Sequence, residues 1–448
     1  MDKELVILGA GESGTGAALL AARKGLQVFV SDCGSINLSN QQELVDAGIE
    51  FESEGHSEDR ILEAAEVVKS PGIPDHAPLI RKLIRNNVSV ISEIEFASRY
   101  SNARIIGITG SNGKTTTSLW TYELMKRSKM DVVLAGNVGE SLSRQLLQRD
   151  PEYFVLELSS FQLDGISNFK CDVAVITNIT PDHLDRYDYR FENYVEAKFK
   201  ILNQHGPHDV FIFNACDKVV NARLKNIKYP GQRVPFSFNE VYGDGAFVEG
   251  DRIIINILKH HFTFPVRDVA LPGKHNLNNA MSSALAALSM GCSEKAVQDG
   301  LRNFHAVEHR LESVDEIDEV LYVNDSKATN IDSTWFALES MEKPVIWIAG
   351  GTDKGNEYHV LEQLVVQKVK ALVCLGVDNS KLKEFFDGKV PHIVETRSMK
   401  DALKRAAGYA KPGDVVLLSP ACASFDLFEN YEDRGRQFKK EVKSLKRP

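Results

Sequence analysis

Short apolar runs recur along this chain, each closed by a glycine turn and followed by a helix-like stretch, and that alternation restricts the fold more than any other feature. LVILGAGESGTGAALLAARKGLQVFVSD (residues 5–32) reads as strand, glycine turn, helix, strand. A second alternation runs through VVKSPGIP and RKLIRN to VSVISE, and the unit ends near ASRYSN. RIIGIT, from Arg104, opens a larger series. In it FVLELSS and DVAVITNIT are short and apolar enough to be buried parallel strands, and VRDVALPGKHNLNNAMSSALAALSMG supplies a glycine turn and an alanine-rich helix. A third series begins around Glu308, His309 and Arg310, where VLYVND, PVIWIAGG, ALVCLG, HIVE and DVVLLS alternate with helical stretches. Such alternation builds doubly wound parallel sheets. At 448 residues the chain exceeds one ordinary core. Three α/β domains are expected, over 1–101, 102–307 and 308–448.

One loop departs from a familiar spacing. GITGSNGKTTT (107–117) ends in Gly-Lys-Thr, but a Walker A loop would need its first glycine at 108, where Ile108 stands. The loop nevertheless follows an apolar strand and opens the helical TTTSLWTYELMKR. Gly110 and Gly113 free the backbone to turn its N–H groups inward, Lys114 reaches terminal phosphates, and the Thr115 hydroxyl suits Mg²⁺. An NTP site is expected over Gly110, Ser111, Asn112, Gly113, Lys114, Thr115 and Thr116, on a central domain of P-loop ATPase type. Gly9-Ala10-Gly11-Glu12-Ser13-Gly14 is a G-x-G-x-x-G turn between strand and helix, with Asp32 closing the next strand, which makes the first domain Rossmann-like. Any nucleotide diphosphate suits such a turn, nicotinamide dinucleotides included, and a purely structural tight turn is the alternative.

Two strand ends supply partners for the loop. Glu157 lies inside the apolar FVLELSS, where a lone carboxylate is costly. It either turns to an edge or pairs with a lysine, or it takes a metal or ammonium partner. Asp182, His183 and Asp185 follow another strand end, and His183 suits Mg²⁺. In RFENYVEAKFKIL, helical spacing puts Tyr194, Val195 and Leu202 on one face with Phe199 at its edge. Lys198 falls within that stripe, and Lys200 points away. A lysine there ordinarily snorkels to water. Carbamylation by CO₂, which would make it a carboxylate able to hold a second Mg²⁺, is the functional alternative.

Composition narrows the partners. A net charge of −9 without a long basic stripe argues against nucleic acid. Phe438, Val442 and Leu445, at helical spacing within RGRQFKKEVKSLKRP, make the basic C-terminus a docked helix. Cys33, Cys171, Cys216, Cys292, Cys374 and Cys422 form no C-x-x-C pair and read as reduced thiols. No run approaches the roughly 20 apolar residues of a membrane span, and the opening apolar run is too short for a signal peptide. A soluble, cytoplasmic protein is expected, without a nucleic-acid partner.

Together these strings resemble the Mur ligases, ATP-dependent amide-forming enzymes of peptidoglycan precursor synthesis. The carriers are SPGIP, TGSNGKTT, AGNVGES, LELSSFQL, TPDHLDRY, the EAK lysine, GKHNLNNA, HRLE, NDSKATN, GGTDKG and SPACASFDLF followed by RG. The offset loop is typical of that family and of the related folylpolyglutamate synthases. Within the family, the branch that joins D-glutamate to UDP-N-acetylmuramoyl-L-alanine is the most similar. The resemblance implies that Gly11, Ser13 and Gly14 cradle the UDP diphosphate, with Asp32, Ser70, Gly72 and Asn137 also at the UDP-sugar. It implies one Mg²⁺ on Thr115 and Glu157, and a second on His183 and carbamylated Lys198. Asn279, Arg310 and Asp325 would contact ATP, Lys327 the reacting phosphate, and Thr329, Lys354, Ser424, Phe425 and Tyr431 the D-glutamate. His309 or a carboxylate would take the amine proton. A monomer is expected, with hinges near 101 and 307. The competing readings are a sister ligase or a folate-type ligase with another acceptor, an NAD-dependent oxidoreductase, and a non-catalytic nucleotide-binding scaffold.

Overall fold

The computed structural model describes residues 4–181, 184–239, 243–271, 273–304, 308–329, 331–339, 341, 343–353, 356 and 358–445. His183 and Lys354 of the expected site lie outside them. The chain divides into two compact units after Phe304.

The first unit contains two sheets. One is fully parallel, in the order Glu50–Glu52, Val28–Ser31, Leu5–Leu8, Glu66–Lys69, Ser89–Ser92. Its middle strand, LVIL, is buried throughout and opens into the glycine turn, whose φ of 89° at Gly9 lies in the region open to glycine. The other runs His260–Pro265, Arg252–Ile257, Gly245–Glu249, Gln232–Ser237, Val210–Asn214, Val173–Ile176, Arg104–Thr109, Tyr153–Glu157, Val132–Gly136. Pairing is parallel from Val132–Gly136 through Gly245–Glu249, and antiparallel in the two hairpins beyond. Those hairpins, whose turns include Gly250 and Leu258, both at positive φ, are strands that the alternation of long units does not signal. The strand Arg104–Thr109, which feeds the offset loop, lies between the strands ending at Ile176 and Glu157. Groups carried just past those two strands therefore flank the loop.

The second unit carries one sheet, ordered Glu312–Ile317, Val320–Asn324, Val415–Leu418, Val345–Ala349, Val369–Leu375, His392–Thr396. The expected doubly wound parallel sheet is present, with one difference: the edge strand Glu312–Ile317 runs antiparallel. Its sequence, ESVDEI, is half-buried and charged, as an edge tolerates, and lacks the apolar run that marks the central strands. The terminal helix Tyr431–Leu445 docks through buried Phe438 and Val442, as its spacing predicts. All six cysteines are free. Among the described residues no helix is long and apolar enough to cross a membrane.

Carboxylates bind the two sheets of the first unit together. The short helix Leu142–Gln148 starts with unsatisfied N–H groups, as every helix does. Ser141 N donates to Glu12 Oε1 (2.9 Å) and Ser143 N to Glu93 Oε1 (2.6 Å), so two acids from the first layer cap a helix of the second. Glu95 accepts from the backbone N–H groups of Ser167, Asn168 and Phe169. Glu93 is buried, and its other oxygen has no hydrogen-bond partner among the described residues. Burial, with the charge of Glu12 adding, raises its carboxyl from 4.5 to about 7. A raised carboxyl contributes stability that is full below about 4.5 and is lost as pH rises through about 7. Glu93→Gln, which keeps the Ser143 acceptor without the charge, should therefore unfold at a higher temperature than the parent at pH 8. The gain should reach about 3 kcal/mol, and the two proteins should converge by about pH 4 in a pH series of thermal melts.

Candidate active site

The offset loop is a rigid cradle because its two glycines leave no room for side chains. Gly110 has φ 150°, and a Cβ there would lie 1.9 Å from Thr177 Oγ1. Gly113 caps the helix Lys114–Arg127 at φ 82°, with Asn279 Oδ1 2.5 Å from where a Cβ would stand. The segment after the neighbouring strand braces the loop. Ser111 N donates to Asn178 O and Asn112 N to Asn178 Oδ1 (both 2.9 Å), and Thr177 Oγ1 donates to Asn112 O (2.6 Å). Ser111 Oγ donates to Thr180 O and lies 3.1 Å from the Tyr194 hydroxyl. These braces were not legible as functional residues. Their only sequence signal is the polar run that ends DVAVITNIT.

Two lysines meet on one carbonyl. Lys114 Nζ donates to Gly110 O and Ser111 O (2.9 Å each), and Lys198 Nζ donates to the same Gly110 O at 2.8 Å. Lys198 is 1% exposed, on the buried face of Phe191–Phe199, with its Nζ 4.6 Å from the Tyr194 ring centroid. The snorkelling expectation is thereby corrected: the ammonium turns into the loop, because the helix carrying it packs against the loop rather than against solvent. Lys200 points elsewhere, to Asp164.

Glu157 ends the strand on the loop's other side and is 1% exposed. It does not reach an edge, and among the described residues it pairs with no lysine. Asn137 Nδ2 donates to its Oε1 (2.8 Å), while Oε2 is buried without a hydrogen-bond partner among the described residues. An orphaned, buried carboxylate oxygen is costly unless something binds it. The donor chemistry and the glycine cradle both fit a magnesium–nucleotide. Thr115 and Thr116 lie in the first turn of the loop helix, and Asn279 is buried against Thr117 Oγ1 (3.3 Å). Asn137, expected at the sugar, also holds Glu157.

The glycine turn of the first sheet is equally tight. A Cβ on Gly14 would lie 1.8 Å from Gly9 O, and one on Gly9 would lie 2.6 Å from Ser70 Oγ. The Asp32 carboxylate braces the turn, accepting from Ala10 N (2.6 Å) and Gly34 N (2.8 Å). Arg186 of TPDHLDRY donates to Pro71 O (3.1 Å) and Gly72 O (3.3 Å). Gly11 and Ser13 flank Glu12 at the head of the helix Glu12–Arg23.

In the second unit, the segments after Val320–Asn324 and Val415–Leu418 come together. Buried Asp325 accepts from Ser419 Oγ (2.8 Å) and Leu311 N (3.2 Å), and burial pushes its carboxyl up to about 7. Arg310, next to Leu311, is half-buried. Lys327 Nζ lies 5.4 Å from the Tyr431 ring centroid. Thr329 N donates to Lys327 O. Ser424 is buried and Phe425 exposed. Arg434, assigned no role from sequence, is 1% exposed and joins the two segments through Ser326 Oγ, Ser326 O and Cys422 O. Burial lowers its guanidinium to about 10. His309 is buried, with Nδ1 2.9 Å from Asn324 Nδ2, and burial lowers its pKa. A buried ring so engaged is a poor base for an incoming amine.

Comparison with known proteins fits this geometry. The Mur ligase middle domain matches residues 108–287, the Mur ligase glutamate ligase domain 309–422, and the MurD-like N-terminal domain 3–92. A UDP-N-acetylmuramoylalanine–D-glutamate ligase from Christiangramia forsetii is 49% identical over 99% of this chain and 100% of its own. The chain belongs to the Mur ligase family. The Porphyromonas gingivalis protein of the same name is 50% identical over 99% of both chains. The solved UDP-N-acetylmuramate–alanine ligase from Thermotoga maritima shares the fold at TM-score 0.54 and 18% identity, over 99% of this chain and 100% of that one. Family membership sets aside the oxidoreductase reading, since the G-x-G-x-x-G turn of this Mur ligase belongs to the MurD-like N-terminal domain.

Gly113→Ala should strain the left-handed position by about 1–2 kcal/mol and push Asn279 aside. Calorimetry should show affinity for a non-hydrolysable ATP analogue falling at least about tenfold, with a modest drop in melting temperature.

Proposed function

We propose that the chain is an ATP-dependent ligase forming the amide bond between UDP-N-acetylmuramoyl-L-alanine and D-glutamate, in peptidoglycan precursor synthesis. The observation that carries this reading is end-to-end relatedness at 49% and 50% identity to proteins bearing that ligase's name. The site residues take the roles that the resemblance implies. Gly110 to Thr116, Asn279, Arg310 and Asp325 serve ATP, Gly11, Ser13 and Gly14 with Asp32, Ser70, Gly72 and Asn137 serve the UDP-sugar, and Thr329, Lys354, Ser424, Phe425 and Tyr431 serve D-glutamate. The domain limits of 1–101, 102–307 and 308–448 follow the same division of labour.

A carboxylate and an amine do not condense unaided in water. In the proposed reaction the terminal carboxylate of the UDP-sugar attacks the γ-phosphorus of ATP, and ADP leaves with the electrons of the broken P–O bond. The D-glutamate amine then adds to the acyl-phosphate carbon, phosphate departs with the C–O electrons, and the amine proton passes to a base. The first step brings one anion against another, so fixed positive charge is decisive. Lys114 supplies it within the loop, and Lys327 at the reacting phosphate. Mg²⁺, held by Thr115 and Glu157 and at a second site by His183 and carbamylated Lys198, would add Lewis-acid charge there when bound. Carbamylation suits Lys198 because its bare ammonium shares a carbonyl with Lys114. Like charges there repel each other and any divalent ion.

ATP-dependent phosphate release tests the reading, with UDP-N-acetylmuramoyl-L-alanine and a panel of D-glutamate, L-glutamate, L-alanine, glycine and diaminopimelate. Release with D-glutamate alone is expected, and release with another acceptor would overturn the acceptor assignment. Lys198→Ala should lose activity by at least about a hundredfold and recover in part with short carboxylic acids. Full activity without them would remove the carbamate from the account.

A further inference from the structure

An acid in a diphosphate-binding turn is an anomaly, because it places a negative charge where an anion is to arrive. Glu12 is that residue, the first of the helix Glu12–Arg23 and next to Gly11. Its carboxylate is committed elsewhere. Oε1 accepts from Ser141 N at 2.9 Å and lies 3.4 Å from Arg144 Nε, while the rest of the Arg144 guanidinium forks onto Glu43 (2.7 and 3.2 Å). Close packing reinforces the attachment, since a Cβ on Gly16, one turn further along the helix, would lie 2.8 Å from Ser141 Oγ.

Ser141 ends a stiff loop that begins at Gly136. Gly136 N donates to Glu140 O (3.0 Å), and both Gly136 and Gly139 have positive φ. Within that loop, Asn137 grips Glu157 twice: its N donates to Glu157 O (2.9 Å) and its Nδ2 to Glu157 Oε1 (2.8 Å). A Cβ on Gly136 would lie 2.3 Å from Glu157 O, so the contact has no slack. The path from the turn to the orphaned Glu157 oxygen is Glu12, Ser141, Asn137, Glu157. Every step is a hydrogen bond or a short rigid peptide.

The geometry points to Glu12 as a positioning residue that couples a nucleotide-sugar diphosphate in the glycine turn to a magnesium–nucleotide at Glu157. This rests on the substrate assignment proposed above. A diphosphate seated on the turn fixes the head of the helix that carries Glu12, and the Glu12 side chain, through its bond from Ser141 N, passes that position to the Asn137 loop and the carboxylate that Asn137 holds. Binding at either site thus favours binding at the other, and the coupling is reciprocal by linkage.

The test is calorimetric and needs no turnover. The affinity of the full-length protein for UDP-N-acetylmuramoyl-L-alanine is measured alone and with Mg²⁺ and a non-hydrolysable ATP analogue at saturation. Thermal melts check that each variant is folded. The parent should bind the UDP-sugar at least about fivefold more tightly with the magnesium–nucleotide present. Glu12→Ala should bring that ratio close to one, whatever its effect on the affinity for the UDP-sugar alone. Glu12→Gln, which keeps the acceptor for Ser141 N, should retain most of the coupling. An unchanged ratio in a folded Glu12→Ala protein would overturn the proposal, as would a parent that binds both ligands without coupling. A parent that binds no UDP-sugar would instead defeat the substrate assignment, and the inference with it.

Discussion

The backbone carbonyl of Gly110 accepts from both Lys114 and Lys198, and the rest of the first unit is arranged so that this convergence holds. The strand leading to it is central, flanked by the strands that deliver Glu157 on one side and Thr177 with Asn178 on the other. Only glycine fits where Gly110 meets Thr177 and where Gly113 meets Asn279. The helix Phe191–Phe199 buries Tyr194, Val195 and Phe199, and that burial carries Lys198 inward with them. Hydrophobic packing thereby places the Lys198 nitrogen where solvation alone would not leave it.

Elsewhere, charged groups act as mechanical parts. Glu12, Glu93 and Glu95 accept from backbone N–H groups of the neighbouring layer, with Arg144 beside Glu12 and Arg99 beside Glu95. In the second unit, Arg434 holds Ser326 and Cys422 through neutral acceptors. Backbone donors and acceptors fix direction as well as distance, so these contacts set loop geometry. Their cost appears in the raised carboxyls of Glu93 and Asp325 and the lowered guanidinium of Arg434.

Much of this was legible from the sequence. Buried parallel strands such as LVIL and VIWIA announce themselves as apolar runs, and the offset loop shows its strand-to-helix setting directly. The hairpins over Gly245–Pro265 and the edge strand Glu312–Ile317 did not, since both are half-exposed and neither follows the strand–helix rhythm. At the site, residue types and spacing pointed to Glu157, Lys114 and Lys198. They could not show where Lys198 turns, because periodicity gives the face of a helix and not what packs against it. Asn137, Thr177, Glu12 and Arg186 act by bracing others, and bracing is a property of tertiary contact that no local pattern records.

The central claim is that the orphaned Glu157 oxygen is a metal ligand beside the doubly held loop. Electron paramagnetic resonance of Mn²⁺, in place of Mg²⁺, tests it most directly with an ATP analogue bound. The account predicts that Glu157→Gln binds one tightly held ion fewer per chain than the parent while remaining folded. The same number of ions, held with unchanged affinity in the variant, would contradict it.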